Sequence, residues 1–329
     1  MIYNYIVVGA GISGIYFSYL IKKVSPKVNL LVIESSDSFG GRILKDPNTG
    51  AQLGAKFVHN DFSRFFKKGK KHSCCELGSL KGKNDKIKTS MMLEEMGSIS
   101  KTVHRKILKY ENEKNYPYDY TKLLEKLIDD LQIKYKTPFK SYTNQGNYYL
   151  VNGKYKTEKI VFATSPNVLK TIPNPYQSYF KHYIQANIIT LAFCLSDHSK
   201  VSSDLVQGFS FYEEFLRTSF YFDSKSKILY VNLFDRHKNF STKNIETKIV
   251  DKFSLKNYKL NKKEWLKGDH LLGAWTVPKS TLSLKIVDTL ETGYDNSIFY
   301  LGDYLGDIDK MGRVTGCMRS VESLVERLS

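Results

Sequence analysis

The chain has 329 residues, 50 of them Lys or Arg against 33 Asp or Glu, for a formal charge of +17, and is 41% hydrophobic and 13% aromatic. This is the composition of a globular protein with a large core and room for two domains. Its four cysteines, Cys74, Cys75, Cys194 and Cys317, exclude a disulfide framework and a CxxC motif. A reducing, intracellular compartment follows as the expectation, by default the cytoplasm. The adjacent Cys74 and Cys75 read either as a redox pair or as ordinary free thiols in a basic loop. No metal-ligand cluster stands out among the seven histidines, so no metal site is expected. The cationic excess suits anionic company (nucleotide, polyanion or membrane surface) and equally suits a merely soluble surface.

Residues 2–34, IYNYIVVGAGISGIYFSYLIKKVSPKVNLLVIE, read as strand, glycine turn, helix, strand and closing acid. Gly9-Ala10-Gly11-Ile12-Ser13-Gly14 has GxGxxG spacing directly after the apolar run that ends in Ile6, Val7 and Val8. In such a unit one glycine allows the tight turn, one lets backbone approach a pyrophosphate, and one lets helix and strand pack closely. The helix start points its N–H groups and positive dipole end at phosphates. Lys22 and Lys23 fall in the last turn and Pro26 stops the helix. Val28 to Ile33 is the second strand, and Glu34 follows about twenty residues after the last glycine, where an acid can accept from a ribose hydroxyl. By itself the unit permits NAD or FAD. A signal peptide or membrane span is not expected, because no basic segment precedes the stretch, Asn4 and three glycines interrupt it, and no small-residue cleavage site follows.

Residues 35–43, SSDSFGGRI, form a polar turn ending in Gly40-Gly41-Arg42, and residues 50–59, GAQLGAKFVH, are a second small-residue segment leading to an aromatic and a histidine. Leu123, Leu124, Leu127, Ile128 and Leu131 recur at helical spacing before Thr137-Pro138-Phe139. Residues 148–166, YYLVNGKYKTEKIVFATSP, read as a hairpin through Asn152-Gly153 and a buried strand. Residues 298–328 read as a strand, Gly302-Asp303, a loop and a helix. In this order, the GxGxxG turn, the acid, GGR, LGAKFVH, the TPF strand end and the Gly-Asp segment resemble the amine-oxidase-like superfamily of FAD-dependent oxidoreductases, which includes monoamine and polyamine oxidases and renalase.

The resemblance implies an α/β fold: a discontinuous Rossmann-type FAD-binding domain of residues 1–59, 116–170 and 286–329, and a second, mostly antiparallel β-sheet substrate domain with helices, residues 60–115 and 171–285. The second region supports this with alternating apolar runs at Asn187–Leu195, Phe209–Tyr212, Thr218–Phe222 and Lys227–Phe234, followed by a Lys/Asn-rich stretch, 238–268, that reads as helical. Carried over residue by residue, Gly9, Gly11, Ile12, Ser13 and Gly14 would cradle the pyrophosphate, Glu34 the adenosine ribose, and Gly41 and Arg42 the phosphates. Phe139 would meet adenine through its backbone, and Gly302 and Asp303 would approach the pyrophosphate and ribityl chain. Gly54, Ala55, Lys56 and Phe57 would lie beside the ring, and Arg313 and Val314 at its pyrimidine edge, where a helix start stabilises negative charge. The FAD would be held without a covalent bond.

On the substrate side the resemblance implies Lys56, Trp275 and Arg313 as the facing residues, with the flavin doing the chemistry. The lysine with which many members open the strand after the ATPP-like segment is replaced by Asn187 or Ile188. An arginine opposite a tryptophan repels a protonated amine and suits an anionic or phosphate-bearing substrate. Renalase likewise lacks the lysine and the aromatic cage. The expected activity is therefore hydride transfer from a small molecule, an amine or a renalase-like dihydronicotinamide, to FAD, with molecular oxygen as acceptor. A second reading is an FAD-fold binding module without catalysis, in which the basic 64–88 segment contacts nucleic acid or another anionic surface.

Overall fold

The computed structural model describes residues 1–55, 57–59, 115–117, 119–185, 187–195, 207–208, 218–223, 226–235, 246–247, 250–251, 255, 258–263, 276–278, 281–305 and 314–329. β1 (Ile2–Val8), α1 (Ile12–Val24) and β2 (Leu30–Ile33) form the opening βαβ unit, β1 and β2 pairing in parallel from Tyr5↔Leu30 to Val8↔Ile33. Gly11 caps α1, its first two turns, Ile12 to Ser18, are buried all round together with Ile21, and the Ser25 N–H closes it on the Ile21 carbonyl just before Pro26. β3 (Phe57–His59) and β4 (Asn115–Pro117) make a short antiparallel pair. α2 (Tyr120–Leu127) starts at Asp119, whose carboxylate accepts from the Thr121 N–H at 3.2 Å, and leads into β5 (Ile133–Lys134) beside β2.

β6 (Tyr142–Asn144), β7 (Tyr149–Val151) and β8 (Tyr155–Phe162) follow, with β7 and β8 joined as expected through Asn152 and Gly153 at φ 52° and 64°. β8 pairs in parallel with β1, from Ile2↔Lys156 to Val8↔Phe162, and its second half also pairs in parallel with β16 (Ile298–Tyr300). The resulting seven-stranded sheet has the order β5-β2-β1-β8-β7-β6 with β16 on β8. β2 and β16, Tyr5–Val8 of β1 and Ile160–Phe162 of β8 are buried, which is why these stretches read as apolar runs. One face carries α1, α2 and the last helix, whose core includes Ile15, Phe17, Leu124, Met318 and Val321; the other carries Phe139, Phe162, Phe180, Tyr300 and Leu290.

α3 (Pro166–Leu169), a 3-10 turn at Gln177–His182 and β9 (Tyr183–Gln185) lead to the second sheet. β10 (Asn187–Leu195), β11 (Gln207–Gly208), β12 (Thr218–Asp223), β13 (Ile228–Asp235) and β14 (Tyr258–Lys263) are antiparallel in the order β11-β12-β13-β10-β14. Three of the expected strands are there, while Phe209–Tyr212 lies outside the described residues. The helical reading of 238–268 is corrected over Tyr258–Lys263, which pairs with β10 from Leu195↔Tyr258 to Thr190↔Lys263. The backbone donors and acceptors along β10 need a second partner, and Tyr258 packs on Phe193 with ring centroids 5.4 Å apart, so tertiary pairing overrides the local composition. β15 (Thr276–Pro278) pairs with β9, and α4 (Thr281–Thr292), β16 and α5 (Val314–Leu328) complete the chain. No described helix is long and apolar enough to cross a membrane.

Candidate functional site

A parallel sheet offers a crevice at the C-terminal ends of its strands where the strand order reverses. Here β1 lies between β2 and β8, so the reversal falls beyond Val8, at the glycine turn. The three glycines of that turn differ physically. Gly9 has φ +107°, and a Cβ on it would lie 2.7 Å from the Ala163 carbonyl oxygen; one on Gly14 would lie 2.0 Å from that of Gly9. Both let α1 close onto the strand ends. A Cβ on Gly11, by contrast, would meet nothing within 4 Å. Gly11 therefore faces an opening. α1 has no side-chain cap and no acid in its first turn, and its first internal bond runs from Ile15 N–H to the Gly11 carbonyl. The N–H groups of Ile12, Ser13 and Gly14 thus project from the helix start, a ready anion site.

Glu34, at the end of β2, is nearly buried. Its Oε2 accepts the Ala10 N–H at 2.7 Å, while Oε1 accepts the Ser36 N–H and hydroxyl, both at 2.8 Å, and the Ser35 hydroxyl at 3.1 Å. The carboxylate is locked to the glycine turn with capacity left on Oε2 for one more donor. Phe139 is buried edge-on against Phe162 at 5.1 Å, and the segment before it is anchored by Thr137 N–H to the Glu34 carbonyl at 2.7 Å.

Gly40 donates its N–H to the Ala10 carbonyl at 2.8 Å, which lays the GGR turn against the first glycine turn, and a Cβ on Gly41 would sit 3.4 Å from Gly11 Cα. Arg42 spans from this turn to the C-terminal segment in a bidentate pair with Asp303, Nη1 to Oδ2 at 2.6 Å and Nη2 to Oδ1. Burial alone would lower the Arg42 pKa, but the Asp303 charge and hydrogen bonds raise it above its ordinary value. Asp303 is buried, and Ser320 ties its neighbour to α5 by accepting the Gly302 N–H at 3.2 Å. Cys317, also on α5, is pushed up to about 12, first by burial and then by Asp303, with a hydrogen bond from Ser13 acting the other way.

Gly54 could not carry a side chain, because its Cβ would lie 1.9 Å from the Arg42 carbonyl oxygen. The Ala55 N–H donates to that same oxygen at 3.1 Å, so 53–55 is strapped to 42–44. Ala51 and Leu53 pack on Ala192, Ile228 and Tyr230 of the antiparallel sheet, and the Tyr230 hydroxyl accepts the Gln52 N–H at 3.0 Å. Val314 opens α5, half-buried, and next to it the buried Thr315 hydroxyl has no partner among the described residues. Lys56, Trp275 and Arg313 lie outside the described residues, and Phe57 is described only as backbone of β3. Among the described residues no group of three His, Cys, Asp or Glu could hold a metal ion.

One end of the sheet thus brings together Gly9, Gly11, Gly14, Glu34, Arg42, Gly302 and Asp303 from four separated stretches of chain. Thr315, Ser320 and Tyr230 have no spacing signal in the sequence. Only the burial of α5 and the second sheet against these loops reveals them.

A family described as the NAD(P)-binding Rossmann-like domain matches residues 7–72. No curated protein has a sequence that matches the chain. Among solved structures, putrescine oxidase bound to putrescine superposes with a TM-score of 0.71 at 12% identity, covering 100% of this chain and 99% of that one. Cyclohexylamine oxidase from Brevibacterium oxydans IH-35A superposes with a TM-score of 0.72 at 10% identity, covering 100% of each chain. The chain has the fold of these amine oxidases, as the resemblance to the amine-oxidase-like flavoproteins led us to expect.

Proposed function

We propose that this protein is an FAD-dependent oxidoreductase of the amine-oxidase-like type acting on a small molecule. The observation that carries the reading is the opening at Gly11, rimmed by a helix start with unspent N–H groups, by Glu34 and by the Arg42–Asp303 pair. Its donor set suits a dinucleotide: N–H groups and Arg42 for the pyrophosphate, Glu34 and Asp303 for hydroxyl groups. The orphaned Thr315 hydroxyl at the start of α5 suits a polar edge of the ring system. Residues 1–59, 116–170 and 286–329 would form the cofactor side and 60–115 and 171–285 the substrate side. The chemistry that FAD supplies when bound is acceptance of a hydride, with molecular oxygen as the final acceptor. The chain's own contribution is to hold the dinucleotide without a covalent bond; Cys317, buried and high in pKa, is a protonated thiol and a poor nucleophile.

The substrate reading rests on the expected Trp275 and Arg313. An arginine there favours an anionic molecule such as a dihydronicotinamide over a protonated amine. Purified protein should be yellow, and its flavin absorbance should bleach under anaerobic conditions with the true substrate and return with peroxide formation in air. Polyamines, monoamines, amino acids and isomeric dihydronicotinamides are the panel, and failure of every one to bleach the flavin would refute catalysis. Asp303→Ala, which leaves Arg42 without its carboxylate, should cost about 3 kcal/mol of stability and most of the FAD occupancy, read by urea unfolding and by the flavin-to-protein absorbance ratio.

A further inference from the structure

The large exposed hydrophobic side chains among the described residues include two tyrosines, Tyr135 and Tyr294, 37% and 45% exposed. Tyr294 packs edge-on against Tyr176, with ring centroids 5.8 Å apart. Tyr135, among the same residues, meets no other ring, and its hydroxyl has no hydrogen-bond partner. β2 and β5 pair in parallel at Val32↔Ile133 and Ile33↔Lys134, and the Glu34 N–H continues the ladder to the Lys134 carbonyl at 2.9 Å. The next positions along that register are Glu34 and Tyr135, which share a face of the sheet. Partial burial and then the Glu34 charge raise the Tyr135 pKa, so the carboxylate acts on the phenol. The backbone that carries the ring is pinned. The Lys136 N–H donates to the Ser36 carbonyl at 2.8 Å, the Thr137 N–H to the Glu34 carbonyl at 2.7 Å, and the Thr137 hydroxyl to the Tyr135 carbonyl at 2.9 Å. Lys136 is held at φ 50°, in the left-handed region that residues other than glycine seldom enter. Such a conformation persists where the surroundings fix the backbone, and ligand clamps are one such place.

We propose that Tyr135 is the ring on which the adenine of the bound dinucleotide stacks, beside the ribose held by Glu34. The inference rests on the dinucleotide reading of the Gly11 opening and adds to it the side chain that meets the base. The base is bonded directly to the ribose, so a ribose hydroxyl on Glu34 Oε2 puts the base at the strand ends where Tyr135 stands. Adenine has two flat faces and gains when an aromatic ring covers one of them. Phe139 does not supply that ring, because it is buried edge-on against Phe162 at 5.1 Å and has only its backbone to offer. Tyr135 can turn its face to the base without breaking a ring contact or a side-chain hydrogen bond among the described residues.

The test is calorimetric titration of the full chain, stripped of flavin, with FAD and with ADP, which carries the adenosine and pyrophosphate alone. Tyr135→Ala should weaken both ligands by a similar factor, about tenfold, and Tyr135→Phe should stay within about twofold of wild type. The flavin-to-protein absorbance ratio of the proteins as purified should fall in the Ala variant and hold in the Phe variant. Unchanged FAD and ADP affinity in Tyr135→Ala would overturn the proposal. Equal losses in the Ala and Phe variants would overturn it too, since the hydroxyl and not the ring face would then be what binds. Wild type that takes up neither FAD nor ADP would remove the dinucleotide reading and this inference together, whereas tight binding of both with no dependence on residue 135 would remove this inference alone. Circular dichroism shows whether each variant is folded; if Tyr135→Ala is not, Tyr135→Leu, which keeps apolar surface but no ring, carries the same test.

Discussion

Tyr304 is wholly buried, yet its phenol has no hydrogen-bond partner among the described residues, and Tyr183, edge-on at 5.7 Å, is in the same position. Burial holds both phenols above their usual pKa range, and packing is what keeps them inside: Phe180 lies 5.9 Å from Tyr304 and 6.2 Å from Tyr183. Tyr304→Phe should therefore change stability by less than about 1 kcal/mol, whereas Tyr304→Ala should cost about 3–5 kcal/mol, both read by urea unfolding. A large loss in the Phe variant would mean that the hydroxyl has a partner. The same ring gives Gly302 a reason for being glycine that its spacing does not reveal, since a Cβ there would come within 2.3 Å of Tyr304. The sequence reading assigned that glycine to cofactor approach. The fold adds a packing reason, which depends on where a neighbouring ring turns and so is not legible from spacing.

At the scale of elements, the opening βαβ unit separates two kinds of glycine that look alike in the motif. Gly14→Ala drives a methyl group into the Gly9 carbonyl and should destabilise the protein by about 3 kcal/mol. Gly11→Ala, at φ −76° with nothing in the way, should fold with a loss within about 1 kcal/mol but retain little FAD. Thermal unfolding and flavin content, measured side by side, distinguish a structural glycine from one facing a ligand. If Gly11→Ala keeps its flavin, the opening at that residue is not the pyrophosphate site. β1, α1, β2, the Asn152-Gly153 turn and α5 were all legible, because each has local periodicity or turn chemistry. β14 was not, because its Lys-rich run becomes a strand only beside β10.

For the whole molecule, the junction between the two sheets is both a packing surface and a titratable one. Tyr230, which holds Gln52 against the antiparallel sheet, is pushed up to about 12, chiefly by burial, and Cys317 beside the Arg42–Asp303 pair is likewise pushed up to about 12. A group whose pKa is raised by folding contributes stability that is intact below its unfolded value, here 9.0 for the thiol and 10.0 for the phenol, and that is lost as the pH rises towards about 12. The urea midpoint should accordingly hold near neutrality and fall above about pH 9, less steeply in Cys317→Ala, and Cys317 should resist thiol reagents until the protein is unfolded. By itself the sequence determined the opening βαβ unit with its glycine turn, the acid that follows it and the alternating strands of the second sheet, because periodicity and glycine spacing act over a few residues, while the arrangement of these pieces as two sheets came from the family resemblance. The tertiary structure alone decided that Arg42 pairs with Asp303 and that the GAQLGA segment is seated on Tyr230. Both contacts join residues whose separation along the chain is erased only when the fold closes.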